Sequence, residues 1–117
     1  MSSLQATDQE SAAVATHPRV ALADIEAAIG ARYHFTADAA SNVGRDASYA
    51  GDFEVPIAIE ALKLLSVCIL VMRNGFTVIG KSAPASPQNF NAELGRKFAY
   101  EDAVRQLWPL MGFALRD

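Results

Sequence analysis

Two periodicities organise the chain. Val20, Leu22, Ile25, Ala28 and Ile29 recur at three- and four-residue spacing with acidic residues between them, which predicts a short amphipathic helix over 19–31, ended near Gly30. Residues 64–72 are almost continuously apolar, and β-branched residues resume after Arg73-Asn74-Gly75. Asn-Gly between two such runs signals a hairpin, because a type I′ turn needs positive φ at both central positions and these residues tolerate it. A two-residue loop pairs Arg73 with Phe76, Met72 with Thr77 and Val71 with Val78. One ribbon face then carries Val67, Ile69, Val71, Phe76 and Val78, and the other carries Cys68, Leu70, Met72, Thr77, Ile79 and Lys81. The first strand is apolar on both faces and reads as buried; the second reads as half-exposed.

Beyond the hairpin, Ser86-Pro87 predicts a helix start, with Ser capping free amides and Pro at a position whose N–H has no partner. Phe90, Leu94 and Phe98, then Val104, Leu107, Trp108, Met111 and Leu115, mark a core-facing stripe, and Pro109 predicts a kink into two segments. Before the hairpin, 32–36 reads as a short extended piece, 37–52 as a long loop, 53–55 as an edge strand stopped by Pro56, and 57–63 as one or two helical turns. Residues 1–17 read as a disordered tail. The expected fold is therefore α+β, one domain over 18–117: a short antiparallel sheet built on one hairpin (about 66–72 and 76–83), an amino-terminal helix, and a long carboxy-terminal helix kinked at Pro109.

Size and charge narrow the function. The 117 residues, 51% of them hydrophobic, suit one core. A net charge of -3 provides no basic field for a phosphate backbone, so nucleic acid is an unfavoured partner. Cys68 is the single cysteine and there are two histidines, which argues against a disulfide or a zinc site and for a reducing compartment. The amino terminus has neither the basic start nor the apolar run of a secretion signal, and 64–72 is about half of what a membrane span needs. The reading is a soluble cytoplasmic protein, without membrane or cofactor. An isolated ribbon is marginal in water, so a homo-oligomer, most simply a two-fold dimer, is expected to shelter it.

Several segments resemble a known family: Arg73-Asn-Gly-Phe-Thr-Val78, Gly80-Lys-Ser-Ala83, Ser86-Pro-Gln-Asn-Phe-Asn-Ala-Glu-Leu-Gly-Arg-Lys97 and Trp108-Pro-Leu-Met-Gly-Phe-Ala-Leu-Arg116, with Ala23-Asp-Ile-Glu-Ala-Ala28 and Tyr33-His-Phe-Thr36 also similar. In order and spacing they are similar to small tailed-phage and prophage accessory proteins catalogued as the gene product forty-nine / sixty-six family. The resemblance implies a viral accessory role and brings no activity that maps onto particular residues.

Candidate chemistry is sparse. Cys68 with His34 is the one possible thiol–base pair, but a mid-strand thiol among Val, Ile and Leu reads as an inert core residue. Glu101 and Asp102, adjacent on a helix, read as a solvated face. The helix start offers more: Lys81, Ser82, Ser86 and Asn89, with Arg96 two turns on, can converge on an anion at the positive end of the helix dipole, against the alternative of ordinary capping by Ser86. Tyr33 and His34, beside Phe35, form an aromatic cluster suited to stacking on a base or to closing the end of a core. The expected function is a non-enzymatic phage accessory protein in counter-defence, binding or sequestering a small anionic or nucleotide ligand within an oligomer. The alternative is an interaction inhibitor of a host defence or replication enzyme, with a host protein as partner.

Overall fold

The computed structural model describes residues 2–39 and 56–116. In chain order these form α1 (Ser3–Val14), α2 (Leu22–Ala28), β1 (Ile29–Thr36), α3 (Pro56–Leu64), β2 (Ser66–Met72), β3 (Thr77–Ser82), a 3-10 turn (Pro87–Asn89) and α4 (Ala92–Arg116). The three strands make one antiparallel sheet in the order β1-β2-β3. The fold is α+β, with the extended piece at 32–36 promoted to a full strand and the turns at 57–63 to a nine-residue helix. The edge strand expected at 53–55, and most of the loop expected over 37–52, lie outside the described residues.

The hairpin forms with a different register. Val71 pairs with Thr77, Leu70 with Val78 and Ile69 with Ile79, one residue from the expected alignment. The Gly75 N–H donates to the Met72 carbonyl and the Met72 N–H to the Phe76 carbonyl, both at 2.8 Å, so the loop has three residues. Within the turn Gly75 alone has positive φ, at 90°, which suits a turn closed by a glycine bulge and relieves Asn74 of the left-handed conformation. A one-residue slip exchanges faces. Cys68, Leu70 and Met72 now share their face with Val78 and Gly80, all buried, whereas Val67, Ile69 and Val71 share theirs with Thr77, Ile79 and Lys81.

Helix α4 lies across the buried face, close above β2 and β3. A Cβ on Gly80 would stand 2.0 Å from the Ala99 carbonyl oxygen, and one on Gly95 would stand 2.2 Å from Ser66 Oγ. The buried stripe of α4 is accordingly Gly95, Ala99, Ala103, Val104 and Leu107. The expected stripe is corrected at both ends, since Leu94, Phe98 and Leu115 are about half exposed; at the start, a helix seated this close leaves no room for large side chains beneath it. Helix α4 also starts later than expected. Asn91 caps it, its Oδ1 accepting from the Leu94 N–H at 3.1 Å, while Ser86 makes no cap and its hydroxyl donates to Gln88. Pro109 does not divide the helix into two elements; α4 runs through it for 25 residues.

The amino terminus departs most from expectation. Instead of a tail, residues 3–14 form α1, with Ser2 and Gln5 in a reciprocal capping box. Leu4 is buried, and the Ser3 hydroxyl donates to Glu101 at 3.0 Å. Asp8 accepts from Arg19 at 2.8 Å and from the Leu22 N–H at 2.9 Å, tying α1 to the start of α2. Both contacts hold the Asp8 carboxyl below its ordinary range, the Arg19 bond first. Glu101 is therefore buried rather than on a solvated face, and Asp102 accepts from the Lys81 backbone N–H. Helix α2 is shorter than the expected 19–31, since Ile29 and Gly30 already belong to β1 and Gly30 sits at its bulge. The Trp108 indole donates to the Val20 carbonyl at 2.9 Å and pins α4 to the segment before α2.

Candidate functional site

Registers place the functional side chains. Tyr33 pairs with Ile69 and His34 with Cys68, so Arg32, His34 and Thr36 project on the face that carries α4, and Ala31, Tyr33 and Phe35 project on the other. Helix α4 packs on β2 and β3, so among the described residues the helix-side face of β1 and the flank of α4 meet at a step, called the cleft from here on. Two residues along a strand and four along a helix both span about 6 Å, so matching pairs face each other across it. The Arg32 guanidinium lies 4.9 Å from the centre of the Tyr100 ring, and one turn back on α4 Arg96 lies near enough to His34 to act on its charge.

The electrostatics of this cleft are lopsided. Arg32 and Arg96 are exposed and form no ion pair among the described residues, where the ion pairs are Arg19 with Asp8 and Lys63 with Glu60. The His34 Nδ1 is enclosed and without a hydrogen-bond partner. Burial, then Arg32, then Arg96 push the imidazole below its ordinary value, which keeps it neutral at pH 7. Burial raises the Tyr100 hydroxyl, with Glu26 adding to the shift. Burial also raises the Cys68 thiol behind His34, which is fully enclosed and carries no thiolate character.

The other expected residues lie elsewhere. Ser82 and Asn89 line a pocket of about 140 Å³ with Phe90, Leu94 and Phe98. Ser86 is near it in the chain but is spent on Gln88. Lys81 projects on the open sheet face with Tyr33, away from the cleft. The structure thus joins His34 with Arg96, and Ser82 with Asn89, and does not gather Lys81, Ser82, Ser86, Asn89 and Arg96 at one helix start. Arg32 and Tyr100 escaped the sequence reading; the four-residue spacing of Arg96 and Tyr100 on one helix face was the available signal. Among the described residues no group of His, Cys, Asp and Glu is arranged to hold a metal, and no helix is long and apolar enough to cross a membrane.

Residues 20–117 match the model of the Phage protein (N4 Gp49/phage Sf6 gene 66) family. The chain belongs to that family. No curated protein and no solved structure matches it. The matched span of this Gp49/gene 66 family member covers β1 through α4, hence Arg32, His34, Arg96 and Tyr100, and leaves out α1.

Proposed function

We propose that this phage protein is a non-enzymatic accessory factor, acting in counter-defence, that binds a small anionic or nucleotide ligand in the cleft between β1 and α4. The observation that carries the reading is that two guanidiniums, Arg32 and Arg96, with no ion pair among the described residues, flank an imidazole whose Nδ1 has no hydrogen-bond partner, in a protein of net charge -3. Arginines are suited to bidentate recognition of phosphate or carboxylate. A neutral His34 adds a donor or acceptor, and the Tyr100 ring adds an apolar wall for a base or sugar. A bound ligand would be held and released unchanged, since among the described residues the one thiol beside an imidazole, Cys68, is enclosed and held protonated by burial.

A thermal-shift panel of nucleotides tests this. Binding only to the folded chain raises its midpoint, by about 2.7 kcal/mol of stability when ligand exceeds its Kd a hundredfold. At least one nucleotide near a millimolar should raise the wild-type midpoint and leave Arg32→Ala/Arg96→Ala unmoved. No shift across the panel, or equal shifts in both proteins, would remove the cleft from consideration.

A second reading, an inhibitor docking on a host enzyme, draws on a different feature. A largely apolar groove of about 530 Å³ opens beside the hairpin tip between Met72, Phe76, Leu107, Leu110 and Met111. Pull-down from host lysate, with Phe76→Asp as the control, recovers a specific partner if this reading is right and nothing specific otherwise.

A further inference from the structure

The two edges of the sheet are finished differently. Since Met72 bonds to Phe76 in the β2–β3 ladder, the antiparallel alternation turns the backbone groups of Thr77, Ile79 and Lys81 outward at the β3 edge, and those of Arg32, His34 and Thr36 outward at the β1 edge. At β3 two of these groups are capped by α4: the Lys81 N–H donates to Asp102 Oδ2 at 2.9 Å, and the Ile79 carbonyl accepts from Gln106 Nε2 at 2.8 Å. Side chains that occupy edge donors and acceptors close a strand to further pairing. At β1 no side chain of the described residues caps the outward groups, and no strand of the described residues pairs with them. This edge strand has eight residues and contains no proline.

We propose that a second copy of the chain pairs along this edge, β1 against β1 about a two-fold axis, giving one six-stranded sheet and joining the two clefts into a single binding trough. The occupant is a second copy because an antiparallel strand is self-complementary about such an axis, and because the alignment centred on Tyr33 uses residues 30–36, seven of the strand's eight. It sets Arg32 opposite the partner's His34 as a hydrogen-bonded pair, Tyr33 opposite its own counterpart, and Ala31 opposite the partner's Phe35. Centring on His34 would shorten the ladder and bring in Ala37, whose N–H is already bonded to the Leu65 carbonyl.

A two-fold axis normal to the sheet keeps faces together. Both α4 helices then stand on one side as walls, with the two copies of β1 as the floor between them. Arg32, His34 and Arg96 of each copy border the same trough, which suits a ligand with two anionic groups related by approximate symmetry. On the opposite side, Tyr33, 57% exposed in one chain, meets its mate in a cross-strand aromatic pair. This second step rests on the reading of the cleft as an anion site; the dimer itself does not.

Sedimentation and cross-linking decide it. The wild type should sediment as a dimer at micromolar concentration. His34→Pro removes an outward N–H, a change tolerated by an unpaired edge strand, and should give a folded monomer by circular dichroism. Tyr33→Cys places two thiols at a non-hydrogen-bonded site with Cα atoms about 4.5 Å apart, and mild oxidation should link the copies through it. A monomeric wild type, or a Tyr33→Cys protein that stays unlinked, overturns the proposal whether or not His34→Pro folds; either result is also what a segment of the same chain covering the edge would produce. A nucleotide that still stabilises a monomeric wild type through Arg32 and Arg96 would leave the cleft standing as a one-chain site. One ligand bound per two chains supports the shared trough, and one per chain rules it out.

Discussion

Gly80 and Gly112 show how differently one residue type acts in two places. A Cβ at Gly80 runs into the backbone of α4 at Ala99 and Ala103, and helix and sheet must part to admit it, whereas at Gly112 nothing lies within 4 Å. Gly80→Ala should lose on the order of 3 kcal/mol by overpacking; Gly112→Ala, inside a helix, should gain about 0.5–1 kcal/mol. Urea midpoints of the two variants measure both, with opposite signs expected. His34 gives the second prediction at this scale. Its folded value is depressed below the ordinary 6.5 by burial, Arg32 and Arg96, and the Cys68 thiol lies across the ladder from it. The unfolded chain therefore takes up the proton first as pH falls. The contribution to stability is complete above the ordinary value and is lost as pH drops below it toward the folded value. The fall in thermal midpoint between about pH 7.5 and about pH 5.5 should be smaller in His34→Gln. At the residue scale the sequence revealed the enclosed Cys68 from its apolar neighbours, but not the close seat of α4. That seat depends on small residues at 95, 99 and 103, which carry no hydrophobic signal, while Phe90, Leu94 and Phe98 carry a loud one at the same spacing.

Elements differ in how much of their stability is local. The hairpin was legible because Asn74-Gly75 is a local instruction; its register was not, because a two-residue and a three-residue loop differ in whether Asn74 and Gly75 both take positive φ or Gly75 alone does. β1 is half hidden in the sequence, since its Arg, Tyr, His and Phe neither alternate cleanly nor run apolar, and pairing with β2 decides it. α1 was illegible for a related reason: its composition is that of a solvated tail, and one buried leucine together with Ser3 and Asp8 docks it. Helix α1 should therefore melt from the domain when that anchor goes. Leu4→Ala is expected to cost about 2–3 kcal/mol, and amide exchange should show faster loss of protection in 3–14 than in α4. Equal exchange in the two helices before and after the substitution would mean that α1 does not depend on Leu4. Pro109 teaches the opposite lesson, since the helix absorbs it: the N–H of residue 109 is missing, and the turns on either side carry enough bonds to continue.

For the whole molecule, the layer of helices on one side of the sheet sets both the site and the exposed surface. Covering β2 and β3 with α4 leaves β1 as the floor of a cleft and leaves an apolar face, with Ile79 60% exposed, on the far side. The family was legible from segments spread over Ala23 to Arg116, and the match over 20–117 places the cleft inside the shared region. The cleft itself was not legible, because Arg32 and Arg96 are 64 positions apart and meet only once the strand order is known. Anion binding there must be linked to protonation: an anion between the guanidiniums favours the imidazolium form, so binding raises the His34 value and tightens as pH falls. The most direct measurement is NMR of the His34 imidazole and the Arg32 and Arg96 Nε–H signals during titration with the nucleotide that raises the midpoint most. All three should respond together, and the His34 titration should move upward in the saturated protein. A nucleotide that stabilises the fold while all three signals keep their free positions would contradict it.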